Sequence, residues 1–341
     1  MSYLAGLEKR ISRMDNTPLD QARQALLAAQ RILVTSHIRP DGDAIGSLLG
    51  LGLSLKEAGK QVQMILSDGV PAAFRFLEGS QQIRKKPEGD FDLSVVLDCS
   101  DFERSGSALN GHPTPDLNID HHPTNLSFAR INLIEVEAVA TAEMLARYLP
   151  QFGLPLSKPS ADALLFGIIT DTLGFRTYNM TPRALRVAAD LIEAGGDLPS
   201  LYFAGLLRRS FEAARFWGAG LSVLQKDGRL AWTTLSMTDR RNAGYLGRDD
   251  ADLINVLTTV EDIDLIVIFV EQPNGHVKVS WRSKPGLDVS QLAVQFGGGG
   301  HAAAAGAEVA GGLQEVQEQV LSATRQLFSE NIYNFEGIKQ G

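Results

Sequence analysis

The residues best suited to chemistry lie in HIRPDGDAIGS, residues 37–47, where His37, Asp41 and Asp43 fall within seven positions. The two carboxylates on either side of Gly42 repel each other unless a positive charge lies between them. PDGD is also an ordinary turn sequence, so this stretch alone leaves a turn and a cation site both open. An EF-hand calcium loop is excluded, because its third acidic position and its glycine are missing after Asp43.

Further acidic and histidine residues follow apolar runs elsewhere in the chain. Asp98 lies near the end of DLSVVLDCS, an Asp-His-His triplet ends DLNIDHH, and Asp171 follows GIIT. Carboxylates and imidazoles without a thiolate suit Mn²⁺, Mg²⁺ or Zn²⁺. Two such ions would offset the repulsion among the carboxylates and would convert a bridging water into a hydroxide that attacks a phosphate ester. The candidate set is His37, Asp41, Asp43, Asp98, Asp120, His121, His122 and Asp171.

The elements that must position these residues alternate between apolar strands and helices. This alternation indicates an α/β fold with a mainly parallel sheet and flanking helices. In such a sheet ligands bind beyond the carboxyl ends of the strands, so we expect His37, Asp98 and the Asp-His-His triplet at one edge. The predicted strands are 31–37, 61–68, 92–100 and 116–122, and the predicted helices are 18–30, 44–59, 140–153, 160–172 and 181–196.

A change of pattern after residue 196 indicates a second domain, which the chain length of 341 residues also favours. Residues 200–225 are typical of a helical connection, whereas 229–238 and the two runs around the turn PNG in 264–284 are typical of strands. A glycine run then leads into an alanine-rich segment, which we predict to be a helix. We expect a smaller α+β domain here. The predicted divisions are a catalytic metal-binding domain at 1–195, a helical linker at 196–225, a substrate-binding domain at 226–332 and a tail at 333–341.

Composition and charge exclude several classes of protein. A formal charge of −8 argues against coating of long nucleic acid, although bound divalent cations would still permit a short anionic substrate. The single cysteine, Cys99, excludes a disulfide framework within the chain and fits a reducing compartment. No uncharged apolar run approaches the roughly 18–20 residues of a membrane span, and the N-terminus has no apolar signal core. We therefore expect a cytoplasmic protein.

The segment GGGGHAAAAGA, residues 297–307, is a second candidate for binding. One interpretation is a flexible linker. The other is a cluster of free backbone N–H groups at the start of a helix, which would bind phosphate or carboxylate. The segment lacks the features of a P-loop and of a dinucleotide-binding motif, which disfavours an ATPase or a dehydrogenase. Arg282, in SWRSK, is either a solvated charge on a strand or a group that clamps a phosphate or stacks on a base.

Four stretches, in this order, resemble the ordered motifs of the DHH phosphoesterase superfamily. They are HIRPDGDAIGS, VVLDCSD (95–101), NIDHHPTN (118–125) and GIITDT (167–172). The segment SWRSKPGLDVSQLAVQFGGGGHAAAAGA (280–307) resembles the DHHA1 domain of the same superfamily. In size and layout the chain is most similar to the stand-alone nanoRNase/pAp-phosphatase group. The resemblance implies a metal-dependent phosphoesterase with its active-site cleft between the two domains.

The resemblance also implies a metal centre of two divalent ions. In this family the metal is usually manganese, whereas the residues themselves leave Mn²⁺ and Mg²⁺ open. The implied ligands are His37 and Asp41 for one ion, Asp43, His121 and Asp171 for the other, and Asp98 for both.

Other residues are implied to support catalysis or to hold the substrate. Asp120 would orient a histidine, and His122 would contact the scissile phosphate as a donor. A narrow cleft that anchors the substrate at two points would select short molecules, and this is compatible with an acidic chain. The implied substrate-binding residues are Arg282, Ser283, Gly298, Gly299, Gly300, His301 and, on weaker grounds, Arg176.

The function favoured by these features is hydrolysis of very short oligoribonucleotides, with removal of the 3′-phosphate from pAp as a further activity. One alternative keeps the chemistry and takes cyclic di-AMP or its linear product pApA as substrate. An alternative of another class is a non-catalytic nucleotide-binding regulatory module, which is disfavoured because every expected ligand position is occupied. Short oligoribonucleotides or small phosphonucleotides are the expected partners, with no membrane and no surface for coating long DNA; a homodimer is compatible with the family.

Overall fold

The computed structural model describes residues 17–111 and 114–335, with backbone alone for 328–335. The chain divides between Arg208 and Arg209 into two compact units, and this division falls inside the predicted linker. The other predicted domain boundaries stay predictions, and residues 1–16 and 336–341 of the predicted first domain and tail lie outside the described residues. Within the described part of the chain, none of the helices combines the length and apolarity needed to cross a membrane.

The first unit is built on a five-stranded parallel sheet with the order β2-β1-β3-β4-β5. Its central strands are almost wholly buried, because their side chains are mainly Val, Ile and Leu and both faces are covered. Four of the strands were predicted from the sequence, and the short β5 was not. The strands are β1 (Arg31–Thr35), β2 (Gln61–Ile65), β3 (Leu93–Leu97), β4 (Leu117–Asp120) and β5 (Ile131–Ile134).

A layer of helices packs with the strands into one large apolar core, while a smaller cluster with a 3₁₀ segment at Phe102–Leu109 covers the other face. The chain passes from β1 into the central helix α2, which begins at Gly42, two residues before the predicted start. Asp41 is therefore the N-cap of this helix, and Asp43 lies in its first turn. The helices are α1 (Pro18–Ala28), α2 (Gly42–Glu57), α3 (Thr141–Gln151), α4 (Lys158–Asp171), α5 (Pro182–Glu193) and α6 (Leu198–Tyr202).

The second unit is built on a six-stranded mixed sheet with the order β10-β11-β9-β8-β7-β6. The long helix α11 and the short α10 cover one face, and α7, α8 and α9 cover β7 and β8 on the other. The strands are β6 (Gln225–Asp227), β7 (Leu230–Leu235), β8 (Leu265–Glu271), β9 (His276–Ser283), β10 (Gly299–His301) and β11 (Ala304–Ala310). The helices are α7 (Phe211–Ser222), α8 (Met237–Ala243), α9 (Leu253–Leu257), α10 (Ser290–Gln295) and α11 (Leu313–Phe335).

The α/β prediction, with a parallel first sheet and a smaller α+β second unit, is confirmed. The predicted alanine-rich helix is wrong, because the alanines form β11 between β9 and β10. Ladder pairing on both sides of this strand outweighs the helix propensity of alanine. The glycine run is therefore one arm of a hairpin, and the helix N-terminus proposed there does not exist. Gly300 has φ of 147°, and a Cβ at this position would lie 2.5 Å from the carbonyl oxygen of Ala304.

The helical connection predicted at 200–225 is also interrupted. A π-helical turn at Phe203–Leu207 continues α6, and the chain then extends before α7 begins. Ser210 accepts the backbone N–H of Ala213 and caps α7, so its side chain starts a new helix at this point.

Candidate metal centre

The predicted metal ligands gather at the carboxyl edge of the first sheet. His37 follows β1, Asp98 follows β3, and His121 follows β4. The starts and ends of two helices bring the remaining carboxylates to the same edge, since α2 begins at Asp41–Asp43 and α4 ends at Asp171. Three triplets of ligand atoms lie close enough to hold a metal ion: His37, Asp41 and Asp98; Asp43, His121 and Asp171; and Asp98, His121 and His122.

The first triplet is arranged around the ring of His37. Its Nε2 lies 3.7 Å from Oδ2 of Asp41 and 3.7 Å from Oδ2 of Asp98. These separations are too long for hydrogen bonds, whereas two ligands that are each about 2.1 Å from one ion lie about 3–4 Å apart. Nδ1 of His37 lies 2.8 Å from the carbonyl oxygen of Ile38, so an N–H at Nδ1 donates to it and Nε2 carries the free lone pair.

The second triplet is arranged around His121. Its Nε2 lies 3.6 Å from Oδ2 of Asp171 and 4.0 Å from Oδ2 of Asp43. The same nitrogen lies 3.7 Å from Oδ1 of Asp98. Nδ1 of His121 lies 3.2 Å from the carbonyl oxygen of Ala138, which again leaves Nε2 for a ligand. Asp98 therefore faces the first triplet with one oxygen and the second triplet with the other.

Asp98 is held in an unusual conformation. It is 1% exposed, and its φ of 52° places it in the left-handed region that few non-glycine residues occupy. The hydroxyl of Thr141 donates to its Oδ1 at 3.0 Å. Strained backbone of this kind is found at functional sites, where the surrounding structure holds a side chain in one orientation.

Asp43 is buried and is held from three directions. Its carboxylate accepts the backbone N–H groups of Thr141 at 2.7 Å and Ala142 at 3.0 Å. It also accepts the hydroxyl of Ser47 at 3.1 Å. The start of α3 thus fixes a carboxylate that belongs to α2.

The pKa values of Asp43 and Asp171 indicate that a positive charge is needed between the carboxylates of the metal centre. Burial, followed by the charges of Asp98 and Asp171, raises the pKa of Asp43 well above its usual range. Burial also raises the pKa of Asp171 to about 7, with His121 opposing the rise and Asp98 adding to it. Buried carboxylates that raise each other's pKa are stabilised by a cation between them.

The pKa of His37 shows the same demand for positive charge. Burial alone would lower it, but contact with Asp41 and Asp98 raises it to about 10. A divalent cation would supply that charge in place of the proton and would require the neutral ring. The donor types, their spacing and their electrostatics therefore fit divalent cations.

Asp120 and Asn125 form a hydrogen-bonded group with His122, which also belongs to the third triplet. Asp120 is fully buried, and its Oδ1 lies 2.7 Å from Nδ1 of His122. The amide of Asn125 donates to its other oxygen at 2.6 Å. Burial would raise the pKa of Asp120, but contact with His122 lowers it, and the same contact raises the pKa of His122 against the effect of burial. His122 is therefore the ring that the carboxylate of Asp120 contacts, and the orienting role of Asp120 stays a prediction.

The predicted substrate-binding residues, apart from Arg176, lie in the second unit. Arg282 on β9 pairs with Ala304 on β11, which pairs in turn with His301 on β10. Directly opposed residues share a face of the sheet, so Arg282 and His301 lie on one face with only a methyl group between them, about 10 Å apart. Ser283 donates its hydroxyl to the carbonyl of Leu287 at 2.7 Å and has a structural use already.

The glycines lie in and before a strand instead of at a helix N-terminus, and Arg176 lies in the first unit. Gly299 and Gly300 belong to β10, and Gly298 donates its N–H to the carbonyl of Ala293 at 2.9 Å. Arg176 lies in the exposed loop after α4, where its backbone N–H donates to the carbonyl of Thr172 at 2.9 Å. The substrate roles of all these residues stay predictions.

Sequence reasoning missed five residues that hold the site, through the carbonyl of Ala138, the N–H and hydroxyl of Thr141, the N–H of Ala142, the hydroxyl of Ser47 and the amide of Asn125. Ser47 could have been found, because it lies one helical turn after Asp43. Asn125 lies inside the quoted NIDHHPTN motif. Ala138 and Thr141 carry no local signal.

The chain is similar to known proteins over most of its length. The DHH family, N-terminal domain, matches residues 31–168, and the DHHA1 domain matches residues 247–330. The bifunctional oligoribonuclease and PAP phosphatase NrnA of Thermus thermophilus is 34% identical, over 86% of this chain and 89% of that protein. The protein of the same name from Bacillus subtilis is 27% identical, over 82% of this chain and 89% of that protein.

A solved structure shows the same fold. The crystal structure of an exopolyphosphatase-related protein from Bacteroides fragilis superposes with a TM-score of 0.83, covering 92% of this chain and 96% of that one at 24% identity. The resemblance inferred from the sequence motifs is confirmed by the family matches. The match to the Thermus thermophilus protein, at 34% identity, covers most of both chains. This protein therefore belongs to the DHH family and carries a DHHA1 domain in its second unit.

Proposed function

We propose that the protein is a divalent-metal-dependent phosphoesterase that hydrolyses very short oligoribonucleotides and removes the 3′-phosphate of pAp. The observation that carries the proposal is the placement of Asp98, whose two carboxylate oxygens each face a different histidine of the metal centre. This arrangement supports two ions bridged by one carboxylate. The names of the relatives, oligoribonuclease and PAP phosphatase, support the substrate class.

In this proposal the ligand set divides between two ions. Divalent cations bound there would polarise the phosphate and lower the pKa of a water molecule at the site. The residues that would hold them are His37 and Asp41 for one ion, Asp43, His121 and Asp171 for the other, and Asp98 for both. Manganese is proposed because of the resemblance to the superfamily, while the donors are equally compatible with Mg²⁺.

His122 is proposed to act on the substrate rather than on the metal. Asp120 contacts its Nδ1 and raises the pKa of the ring, so Nε2 would carry an N–H when the ring is protonated. That N–H would donate to an oxygen of the scissile phosphate or to the leaving group. Asp120 acts through His122, since its carboxylate fixes the orientation of the ring.

The second unit is proposed to hold the remainder of the substrate. Arg282 and His301 offer two cationic or donor groups on one face of the sheet, with Ala304 between them. A guanidinium at such a place can bind a phosphate or stack on a base. Anchoring by a local site of this kind suits short substrates and a chain with a charge of −8. A cleft between the units, a homodimer and a cytoplasmic location stay predictions.

A turnover panel tests the substrate assignment. The purified protein with Mn²⁺ is incubated with di- to pentaribonucleotides, pAp, cyclic di-AMP and pApA, and the products are quantified by chromatography. We expect mononucleotide release from the short ribonucleotides and phosphate release from pAp. A preference for cyclic di-AMP or pApA would favour these molecules as the substrate over short oligoribonucleotides and pAp. Failure of the folded, metal-loaded protein to turn over any of these molecules would refute the proposed phosphoesterase activity.

Metal removal should lower both activity and stability. Treatment with a chelator is expected to abolish turnover, and Mn²⁺ at about 100 times its dissociation constant should raise the free energy of unfolding by about 2.7 kcal/mol for each ion bound. For a chain of this size that corresponds to a rise in Tm of about 5 °C. The measurement is thermal unfolding with and without Mn²⁺. An unchanged Tm at saturating Mn²⁺ would contradict the site.

The His122→Gln variant should lose the proton donor and keep the metal ions. Proton transfer or donation by a positioned side chain contributes about 100- to 10,000-fold in rate, so a loss of kcat in this range is expected. The Mn²⁺ dissociation constant should change little. His276→Gln, at the start of β9 in the second unit, is the control and should retain full kcat. A His122→Gln variant as active as this control would remove His122 from the chemistry.

A further inference from the structure

The segment Ala138–Glu143, which leads into α3, holds the metal centre from behind. Its contacts reach three proposed ligands on three different elements. The carbonyl of Ala138 accepts from His121, the backbone N–H groups of Thr141 and Ala142 donate to Asp43, and the hydroxyl of Thr141 donates to Asp98. The orientation of these three side chains therefore depends on where this segment lies.

Glu143 fixes the conformation of the segment internally. Its carboxylate is fully buried, and one oxygen accepts the backbone N–H of Val139 at 2.7 Å. This bond closes the turn between the carbonyl of Ala138 and the N–H of Thr141. A buried carboxylate needs a cationic partner as well, because burying an unpaired charge is costly.

Arg183 on α5 supplies that partner and ties the segment to another helix. Its Nε donates to the second oxygen of Glu143 at 2.7 Å. Its Nη2 donates to the carbonyl of Glu137 at 3.1 Å, and its Nη1 pairs with Glu135 at 2.8 Å. One guanidinium thus contacts Glu143 in the segment and Glu135 and Glu137 just before it. A planar fork of donors is better suited to these three contacts than a lysine.

Building on the proposed function, we infer that Thr141 and Arg183 are positioning residues for the metal centre: Thr141 orients Asp98 and Asp43, and Arg183 acts through Glu143 to hold the segment that carries Thr141. Neither residue is a proposed metal ligand. Groups that hydrogen-bond metal ligands set their orientation, and their loss typically weakens metal affinity about 10- to 100-fold.

Titration of metal-stripped full-length protein with Mn²⁺ alone, by calorimetry, tests this inference without any substrate. Thr141→Val keeps the shape of the side chain and removes the hydroxyl, so its Mn²⁺ dissociation constant is expected to rise about 10- to 100-fold. Thr141→Ser keeps the hydroxyl and should stay within about threefold of wild type. Arg183→Gln, which replaces a partly exposed side chain, should weaken binding about tenfold.

Arg31→Gln is the matched control. Arg31 donates from Nε and from Nη2 to the same oxygen, Oδ1 of Asp92, at the opposite end of β1, with bonds of 3.1 and 2.7 Å. Its loss should leave the Mn²⁺ dissociation constant within about twofold of wild type, whatever it does to Tm. Thermal unfolding of each metal-free variant separates a loss of fold from a loss of orientation, because a purely structural role would lower Tm and leave the affinity unchanged.

The outcomes separate this inference from the proposed function. Mn²⁺ affinity within about twofold of wild type in both Thr141→Val and Arg183→Gln would overturn the inference while leaving the metal centre intact. Weakened affinity together with rescue by Thr141→Ser supports it even if no tested substrate is turned over. A wild-type protein that does not bind Mn²⁺ would overturn both.

Discussion

The Asp98→Asn variant is expected to lose at least about a thousandfold in kcat and to keep its fold. The two carboxylate oxygens of Asp98 face His37 and His121, one in each ligand triplet. Loss of the carboxylate therefore removes several kcal/mol of transition-state stabilisation. Asparagine has nearly the same size, tolerates a positive φ, and can still accept the hydroxyl of Thr141. The measurement is steady-state turnover of a diribonucleotide with Mn²⁺, alongside circular dichroism.

Asp92→Asn is the control for this substitution. Asp92 accepts from Arg31 at the far end of β1, so its change removes a carboxylate from the same unit without touching the metal centre. It should retain kcat. An Asp98→Asn protein with native circular dichroism and kcat within tenfold of this control would contradict the shared-carboxylate assignment.

The Gly46→Ala variant should damage the fold and the metal centre together. A Cβ at Gly46 would lie 2.4 Å from the carbonyl oxygen of Ala163 and 2.9 Å from the backbone nitrogen of Gly167. These are backbone atoms of α4, so no side-chain rotation relieves the clash and α2 must move away from α4. Overpacking of this kind costs about 1–3 kcal/mol or more.

The movement of α2 away from α4 would also separate two of the proposed metal ligands. Asp43 lies at the start of α2 and Asp171 at the end of α4, and both contact His121. We expect Tm to fall by about 2–10 °C and the Mn²⁺ dissociation constant to rise at least about tenfold. Gly218→Ala, in the interior of α7 with open space around its Cβ position, is the control and should be neutral or stabilising. Unchanged Tm and Mn²⁺ affinity in Gly46→Ala would show that the two helices do not need this close approach.

The sequence predicted the ligand-bearing part of the fold because its signals are local. β1, β3 and β4 are short runs of Val, Ile and Leu, and the polar residues that follow each run lie at the sheet edge by the geometry of parallel strands. The end of α2 and the start of α5 also depend on single residues: Gly59 follows α2 with φ of 82°, and the hydroxyl of Thr181 accepts the backbone N–H of Ala184.

The errors arose where distant parts of the chain decide the structure. Alanines 302–305 favour a helix in isolation, but pairing of Ala304 with Arg282 and with His301 makes residues 302–303 a hairpin turn and places Ala304 and Ala305 in a strand. The strand β5 was missed because it is four residues long and only partly buried. Thr141 was missed because its partner Asp43 lies 98 residues earlier, and no local pattern announces such a contact.

The number of Mn²⁺ ions bound per chain decides whether the proposed ligands form two metal sites that share Asp98. Metal-stripped protein is equilibrated with Mn²⁺ by dialysis and the bound metal is measured by elemental analysis. We expect two ions per wild-type chain and about one in each of Asp41→Asn and Asp171→Asn. Each change removes a ligand from only one of the two ligand triplets. A wild-type chain that binds a single ion, or variants that both retain two, would contradict this expectation.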